Sequence, residues 1–250
     1  MAIAEVHYFS TAIGKMSGAM VVLPEREDWR GPFPVFYLLH GLSDDYTAWS
    51  RRTSIERYVQ DLPMIVVMPD GGRGFYTDAV AGFAYESAIV RDLIPFVDRT
   101  FHTDARREGR VIGGLSMGGY GSVKLALAHP DLFCSAVSHS GALGLGGRPL
   151  EGHQEIREEL VRLFGPQPAG GPTDLYALAE RVDRALLPAL RIDCGTEDGL
   201  LEQNRGFHAH LDRLGIPHEY QEFPGAHTWD YWDTHVQEAI AFHARALGLL

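Results

Sequence analysis

Arg110-Val111-Ile112-Gly113-Gly114-Leu115-Ser116-Met117-Gly118-Gly119-Tyr120-Gly121 is the stretch on which the reading of this chain turns. Arg110–Ile112 has the apolar character of a buried strand, and Gly118–His129 carries a helical pattern that Pro130 closes. Between them lies Gly114-Leu115-Ser116-Met117-Gly118, a Gly-x-Ser-x-Gly sequence. A turn this sharp from strand to helix strains its central residue and holds that side chain out at the top of a sheet. Glycine is needed two places before and two after, because a Cβ there would clash as the chain folds back. The helix N-terminus also directs partial positive charge at the same point, which favours a developing oxyanion. Ser116 is therefore the candidate nucleophile. A glycine-rich turn that only packs a helix on a strand would show the same five letters. Ser138 and Ser140 are rivals, but Ser138-His139-Ser140-Gly141 lacks the flanking glycines and starts no helix.

Outward from this turn, strand and helix patterns alternate. Pro34–Leu39, Met64–Met68, Phe133–Val137 and Leu190–Cys194 read as strands buried on both faces, and His218–Phe223 as a weaker last strand. Helical spacing runs over Ser54–Leu62, Ala88–Phe96, Gln203–Leu214 and Thr234–Leu247. The alternation predicts an α/β fold, a mostly parallel central sheet with helices on both faces. Ile3–Phe9 and Ala19–Leu23, with no helix between them, predict an antiparallel N-terminal edge. With 250 residues and neither a repeat nor a linker, residues 1–250 are expected to form one domain. Leu143–Leu187 breaks the pattern: it is rich in Gly and Pro and contains a charged helix, Glu151–Phe164. It reads as a short cap-like insertion over the active site, or else as a solvated surface excursion.

The composition narrows the partners. A formal charge of −11 without a basic cluster argues against nucleic acid and anionic membranes. No apolar run is long enough to span a bilayer. The N-terminus shows no signal peptide, and the two cysteines, Cys134 and Cys194, make no disulfide framework, so a cytoplasmic setting is expected. The expected partner is a small molecule, and a homo-oligomer is left open.

A serine hydroxyl needs an imidazole to take its proton, and the imidazole needs a carboxylate to fix its tautomer. The chain order Ser, acid, His is met by Ser116, Asp198 and His227. Asp198 follows strand Leu190–Cys194 and His227 follows His218–Phe223, so both belong at the strand ends that Ser116 shares. His227 is chosen from twelve histidines because Gly225 and Ala226 leave it unobstructed after the last strand. Glu197 is the runner-up acid, and Asp193 reads as a buried strand residue. Acyl transfer also needs donors aimed at the carbonyl oxygen. Met117 N–H is one; Leu42 N–H, aimed by the turn at Gly41, is the other, unless His40-Gly41 simply ends a strand. Trp49, Trp229 and Trp232 are expected to wall a substrate pocket or to be core, with Tyr76 a weaker pocket candidate. His208 and His210 do not share a helix face, and no histidine pair shows metal-ligand spacing. No metal and no cofactor are expected.

His40-Gly41-Leu42-Ser43-Asp44-Asp45-Tyr46-Thr47-Ala48-Trp49, Pro69-Asp70-Gly71-Gly72-Arg73, Gly114-Leu115-Ser116-Met117-Gly118-Gly119-Tyr120-Gly121, Gly195-Thr196-Glu197-Asp198 and Gly225-Ala226-His227-Thr228-Trp229-Asp230 together resemble the esterase D-like α/β-hydrolases, nearest the tributyrin-esterase type. The wider group includes S-formylglutathione hydrolases, feruloyl and acetylxylan esterases, and mycolyltransferases. The resemblance runs from about Val35 to Trp232 and implies the α/β-hydrolase fold. It also implies a serine carboxylesterase acting on small acyl esters, with Ser116, Asp198 and His227 as triad and Leu42 and Met117 as hole donors. A thioesterase of the formylglutathione kind, an acyltransferase and, furthest off, a non-catalytic binding module are the alternatives.

Overall fold

The computed structural model describes residues 1–146 and 156–250. Two long strands open the chain, β1 (Ala2–Ser10) and β2 (Lys15–Leu23), followed by β3 (Val35–Leu39). Short helices α1 (Ala48–Arg52) and α2 (Ile55–Tyr58) lead to β4 (Ile65–Pro69). Next, α3 (Tyr85–Ser87) passes through a π-helical stretch (Ala88–Leu93) into α4 (Ile94–Thr100). The second half runs β5 (Arg110–Leu115), α5 (Met117–Ala128), β6 (Ser135–His139), α6 (Arg157–Phe164), α7 (Leu175–Arg181) and β7 (Ala189–Gly195). It closes with α8 (Leu201–Arg213), β8 (Glu219–Phe223) and α9 (Trp229–Ala246).

The eight strands form one sheet in the order β1-β2-β4-β3-β5-β6-β7-β8. β1, β2 and β4 pair antiparallel, and every neighbour from β4 through β3 to β8 is parallel. This is the expected α/β arrangement, and its cause is the period-two alternation of apolar side chains on strands buried from both sides. Val35, Tyr37 and Leu39 of β3 join one core layer with α5, α7 and α8. Phe36 and Leu38 point the other way, onto Trp49 of α1, Ile55 of α2 and Val236 and Ile240 of α9. Parallel pairing brings the carboxyl ends of β3, β5, β7 and β8 to one rim.

The differences from expectation are local. The pattern at Ser54–Leu62 forms only the single turn α2, and the Thr53 Oγ1 bond to Trp49 O at 2.6 Å separates it from α1. α9 begins at Trp229, one turn before the expected Thr234. α7 escaped the sequence pattern; its start is set by Asp174, whose carboxylate accepts the Tyr176 N–H at 3.0 Å. The helix expected over Glu151–Phe164 is seen as Arg157–Phe164; Gly147 and the start of the expected helix lie outside the described residues. Among the described residues no helix is long and apolar enough to cross a membrane.

One buried histidine makes the fold sensitive to acid. His243 of α9 is wholly enclosed, its ring against Phe36 and its Nδ1 2.9 Å from Ser135 Oγ. Burial, with His139 adding to it, pushes this imidazole down from 6.5 to about 3. Between those values the unfolded chain carries a proton at this site that the folded chain does not. Stability therefore falls as pH drops from about 6.5 towards about 3. Urea-unfolding midpoints should decline over that window. His243→Gln should remove up to one proton from the slope, about 1.4 kcal/mol per pH unit; an unaltered slope in the variant would contradict this source of acid sensitivity.

Candidate active site

The link between β5 and α5 is as tight as its glycines require. Ser116 has φ +53°, a left-handed conformation that an L-residue holds only when its surroundings impose it. A Cβ on Gly118 would stand 2.4 Å from Leu39 O, and one on Gly114 would stand 2.7 Å from the Gly118 carbonyl. Hydrogen bonds lock the strained residue in place. Its N–H donates to His139 O at 2.9 Å, and its carbonyl accepts from Tyr120 N at 3.0 Å and Ala142 N at 3.2 Å. Ser138 and Ser140, the rival serines, are buried behind this turn and do not line the cleft described below.

Ser116 Oγ lies 2.9 Å from His227 Nε2, and His227 Nδ1 lies 2.7 Å from Asp198 Oδ2. With the proton on Nδ1 donated to the carboxylate, Nε2 is left to accept from the serine hydroxyl. The other Asp198 oxygen accepts the Leu200 N–H at 2.8 Å. Burial alone would raise this carboxyl; the hydrogen bonds from the His227 ring and the Leu200 N–H outweigh it and hold the group below the usual carboxylate range. Glu197 takes a different part. Its exposed carboxylate bonds Thr196 Oγ1 at 2.7 Å and the Gly225 N–H, while its own N–H donates to Gly225 O at 3.0 Å. It staples the loop that carries His227. Asp193 is buried, as its place inside a strand suggests, and accepts from His139 Nδ1 at 2.9 Å and Tyr231 OH at 3.0 Å.

The loop after β3 comes close to Ser116: a Cβ on Gly41 would meet Leu115 Cδ1 at 2.7 Å and Ser116 Cβ at 3.8 Å. His40 shapes this loop. Its Nε2 accepts the Gly71 N–H at 2.9 Å, which places the proton on Nδ1, where it is donated to Gly41 O at 2.7 Å. The sequence predicts a turn at Gly41 that aims the Leu42 N–H; the bracing role of the His40 ring depends on the distant Gly71 and is not legible there. Among the described residues, neither the Leu42 N–H nor the Met117 N–H has a hydrogen-bond acceptor. Met117 opens α5, so its amide also carries the helix's partial positive charge.

A cleft of about 620 Å³ opens over Ser116 and His227, walled by Leu42, Leu115, Trp229 and Trp232. Trp232 meets the His227 ring edge-on at 4.9 Å, and Trp229 meets Trp232 at 5.4 Å. Two expected pocket residues are corrected. Trp49 is fully buried one layer below, its ring against Trp229 and its Nε1–H donated to Leu39 O at 3.0 Å, so it props the wall without forming it. Tyr76 is also fully buried: its hydroxyl donates to His40 O at 3.1 Å and its ring fills the space beside Gly71 and Gly121. Both have an apolar body and a polar tip that finds a backbone carbonyl, which suits the underside of a loop. The cleft is also lined by Arg52, outside every quoted motif, and by Arg73, to which the sequence assigned no role. Arg73 makes a two-point contact with Glu159 of α6, at 2.8 and 2.7 Å. The described part of the insertion thus reaches the edge of the cleft.

The arrangement is what acyl transfer through a serine requires of its side chains: a hydroxyl next to an imidazole, with a carboxylate behind it. The Esterase family model matches residues 10–243 of the chain. An acetyl esterase of Caldicellulosiruptor saccharolyticus is 27% identical over 98% of this chain and 99% of its own length. An esterase of Mycobacterium tuberculosis is 34% identical over 88% of this chain, which spans about half, 54%, of that relative. Among solved structures, the fluorophosphonate-binding serine hydrolase FphF of Staphylococcus aureus, with substrate bound, matches with a TM-score of 0.84 at 31% identity, over 97% of this chain and 98% of that one.

The two neighbouring carboxylates can be separated by experiment. Asp198→Asn should slow covalent labelling by a fluorophosphonate probe by roughly 10³–10⁴-fold, since the imidazole loses its orienting charge. Glu197→Gln should stay within about tenfold, because it loosens a loop without touching the ring. The reverse ranking would make Glu197 the acid.

Proposed function

Since the chain belongs to the Esterase family, we propose that it hydrolyses small carboxylic esters through an acyl-enzyme formed on Ser116. The observation that supports this most is the unbroken series from hydroxyl to imidazole to carboxylate, at 2.9 and 2.7 Å. His227 Nε2 takes the Ser116 proton as Oγ attacks the ester carbonyl. The Leu42 and Met117 N–H groups receive the oxyanion of the tetrahedral intermediate. As that intermediate collapses, the proton on Nε2 passes to the departing alcohol. Water then enters, gives its proton to Nε2 and attacks the acyl-enzyme, and the free acid leaves as Ser116 regains its proton. Asp198 stays ionised throughout and holds the ring in the tautomer that can accept from serine.

The substrate class follows from the walls. Leu42, Leu115, Trp229 and Trp232 offer apolar contact to a short acyl or aryl group, and the cleft size suits a small molecule. Each step uses groups that the chain itself supplies. Free cysteines, Cys134 and Cys194, fit a reducing, cytoplasmic setting.

Ser116→Ala should lower kcat/KM for p-nitrophenyl acetate by at least roughly 10⁴-fold while the thermal melt stays in place. Within a p-nitrophenyl series from acetate to palmitate, wild-type rates should be highest at the short end. Retained activity in the variant would move the nucleophile elsewhere. Faster turnover of S-formylglutathione than of any oxygen ester would identify a thioesterase. Ester formation that outruns hydrolysis when glycerol is added would identify a transferase.

A further inference from the structure

His208, Asp212 and His218 lie far from the cleft, at the opposite end of β8 from His227, and the catalytic reading gives them no part. α8 sets His208 and Asp212 one turn apart on the same face. Gly215, at φ +62°, then reverses the chain so that His218 returns to that face just before β8. Within this group, one ligand atom from each residue lies within 4.8 Å of the other two. His208 Nδ1 stands 2.7 Å from His218 Nε2, while Asp212 Oδ2 stands 3.5 Å from the other ring nitrogen, His208 Nε2, so the exposed Asp212 side chain must turn to reach an ion held on Nδ1.

We propose that these three residues form a binding site for a divalent transition metal of the Zn²⁺ type. Three observations carry it. First, His218 Nδ1 is 2.8 Å from Ile216 O, so its proton sits there and the Nε2 lone pair faces His208. A backbone carbonyl on the far nitrogen is the usual way a ligating imidazole is fixed in tautomer and orientation. Second, the His208 ring lies flat on Tyr220, with centroids 4.2 Å apart and planes within 5°, which fixes its direction too. Third, the two imidazoles meet through nitrogen, so a single proton occupies the space between two lone pairs. A metal ion can replace that proton. With Zn–N bonds of about 2.0–2.1 Å in tetrahedral geometry, the nitrogens need to stand about 3.3 Å apart, so the pair at 2.7 Å opens by roughly 0.6 Å. His208 and His218 are half-buried and Asp212 is exposed, so the ion can enter from solvent and keep water in its remaining position. Two imidazoles and one carboxylate suit Zn²⁺, Ni²⁺ or Cu²⁺ and not Ca²⁺ or Mg²⁺, which prefer all-oxygen sites.

Such an ion would tie the end of α8 to the start of β8. Its effect falls on stability and not on the chemistry at Ser116. The spacing in sequence conceals the site: Asp212 and His218 are joined by a turn, and only the fold brings them to one face.

Isothermal titration of the EDTA-treated, dialysed full chain with ZnCl₂ provides the test, alongside thermal melts. The wild type should bind one Zn²⁺ tightly and melt higher in its presence. His208→Ala and His218→Ala should weaken that event at least tenfold and abolish the rise in Tm, while their metal-free melts stay near the wild type. Asp212→Asn should weaken it less. Ca²⁺ and Mg²⁺ should give no comparable signal. Failure to bind at 100 µM Zn²⁺, or tight binding that survives both histidine substitutions, would overturn the proposal. None of these readings depends on ester hydrolysis, so they stand apart from the assignment of the cleft.

Discussion

Everything in the cleft depends on one close backbone approach: Gly118 lies so near the Leu39 and His40 carbonyls that no side chain fits between them. That approach forces Ser116 to φ +53°. A non-glycine residue in this region costs on the order of 1–3 kcal/mol and persists only when its surroundings over-determine it. Here they do. The His139 carbonyl and the Tyr120 and Ala142 amides grip the Ser116 backbone from three sides, and the buried sheet holds those partners still. The result is a hydroxyl projected beyond the sheet, at the start of a helix.

Parallel pairing then does the rest of the positioning. Because β3, β5, β7 and β8 run the same way, their following loops gather on one rim, and each carries one part of the proposed machinery. The most finely balanced part is the pair Glu197 and Asp198. They are adjacent carboxylates, and they are told apart by burial. Asp198 turns inward to the His227 ring and the Leu200 amide. Glu197 turns outward and laces the Gly225 turn to its own loop. The outer carboxylate keeps the imidazole's loop in place while the inner one orients the imidazole.

Much of this was readable in the chain. Strands buried on both faces announce themselves as unbroken apolar runs, and the mostly parallel pairing follows from strand–helix alternation, though the strand order does not. Ser116 and Asp198 could be selected because each follows such a strand, and His227 because it follows the weaker last strand, each with glycine close by. Helix boundaries were less readable. α2 covers only part of its expected span, and α7 begins at an Asp174 cap inside a Gly- and Pro-rich tract. Aromatic residues were the least readable. Trp49, Trp229 and Trp232 share a composition and differ in depth, which depends on what the fold stacks above each. Trp49 and Tyr76 prove to be supports beneath the rim, fastened by hydrogen bonds to carbonyls of Leu39 and His40. The brace between His40 and Gly71, like the gathering of His208, Asp212 and His218, joins segments whose proximity no local pattern records.

The central claim is that a charge developing on Ser116-bound substrate is met by two backbone amides. A crystal structure of the chain inactivated by a fluorophosphonate addresses it. Phosphorus should be bonded to Ser116 Oγ, with the phosphonyl oxygen about 2.7–3.1 Å from both the Leu42 and Met117 nitrogens. A phosphonyl oxygen turned to solvent with those amides unengaged, or an adduct on any other residue, would contradict it.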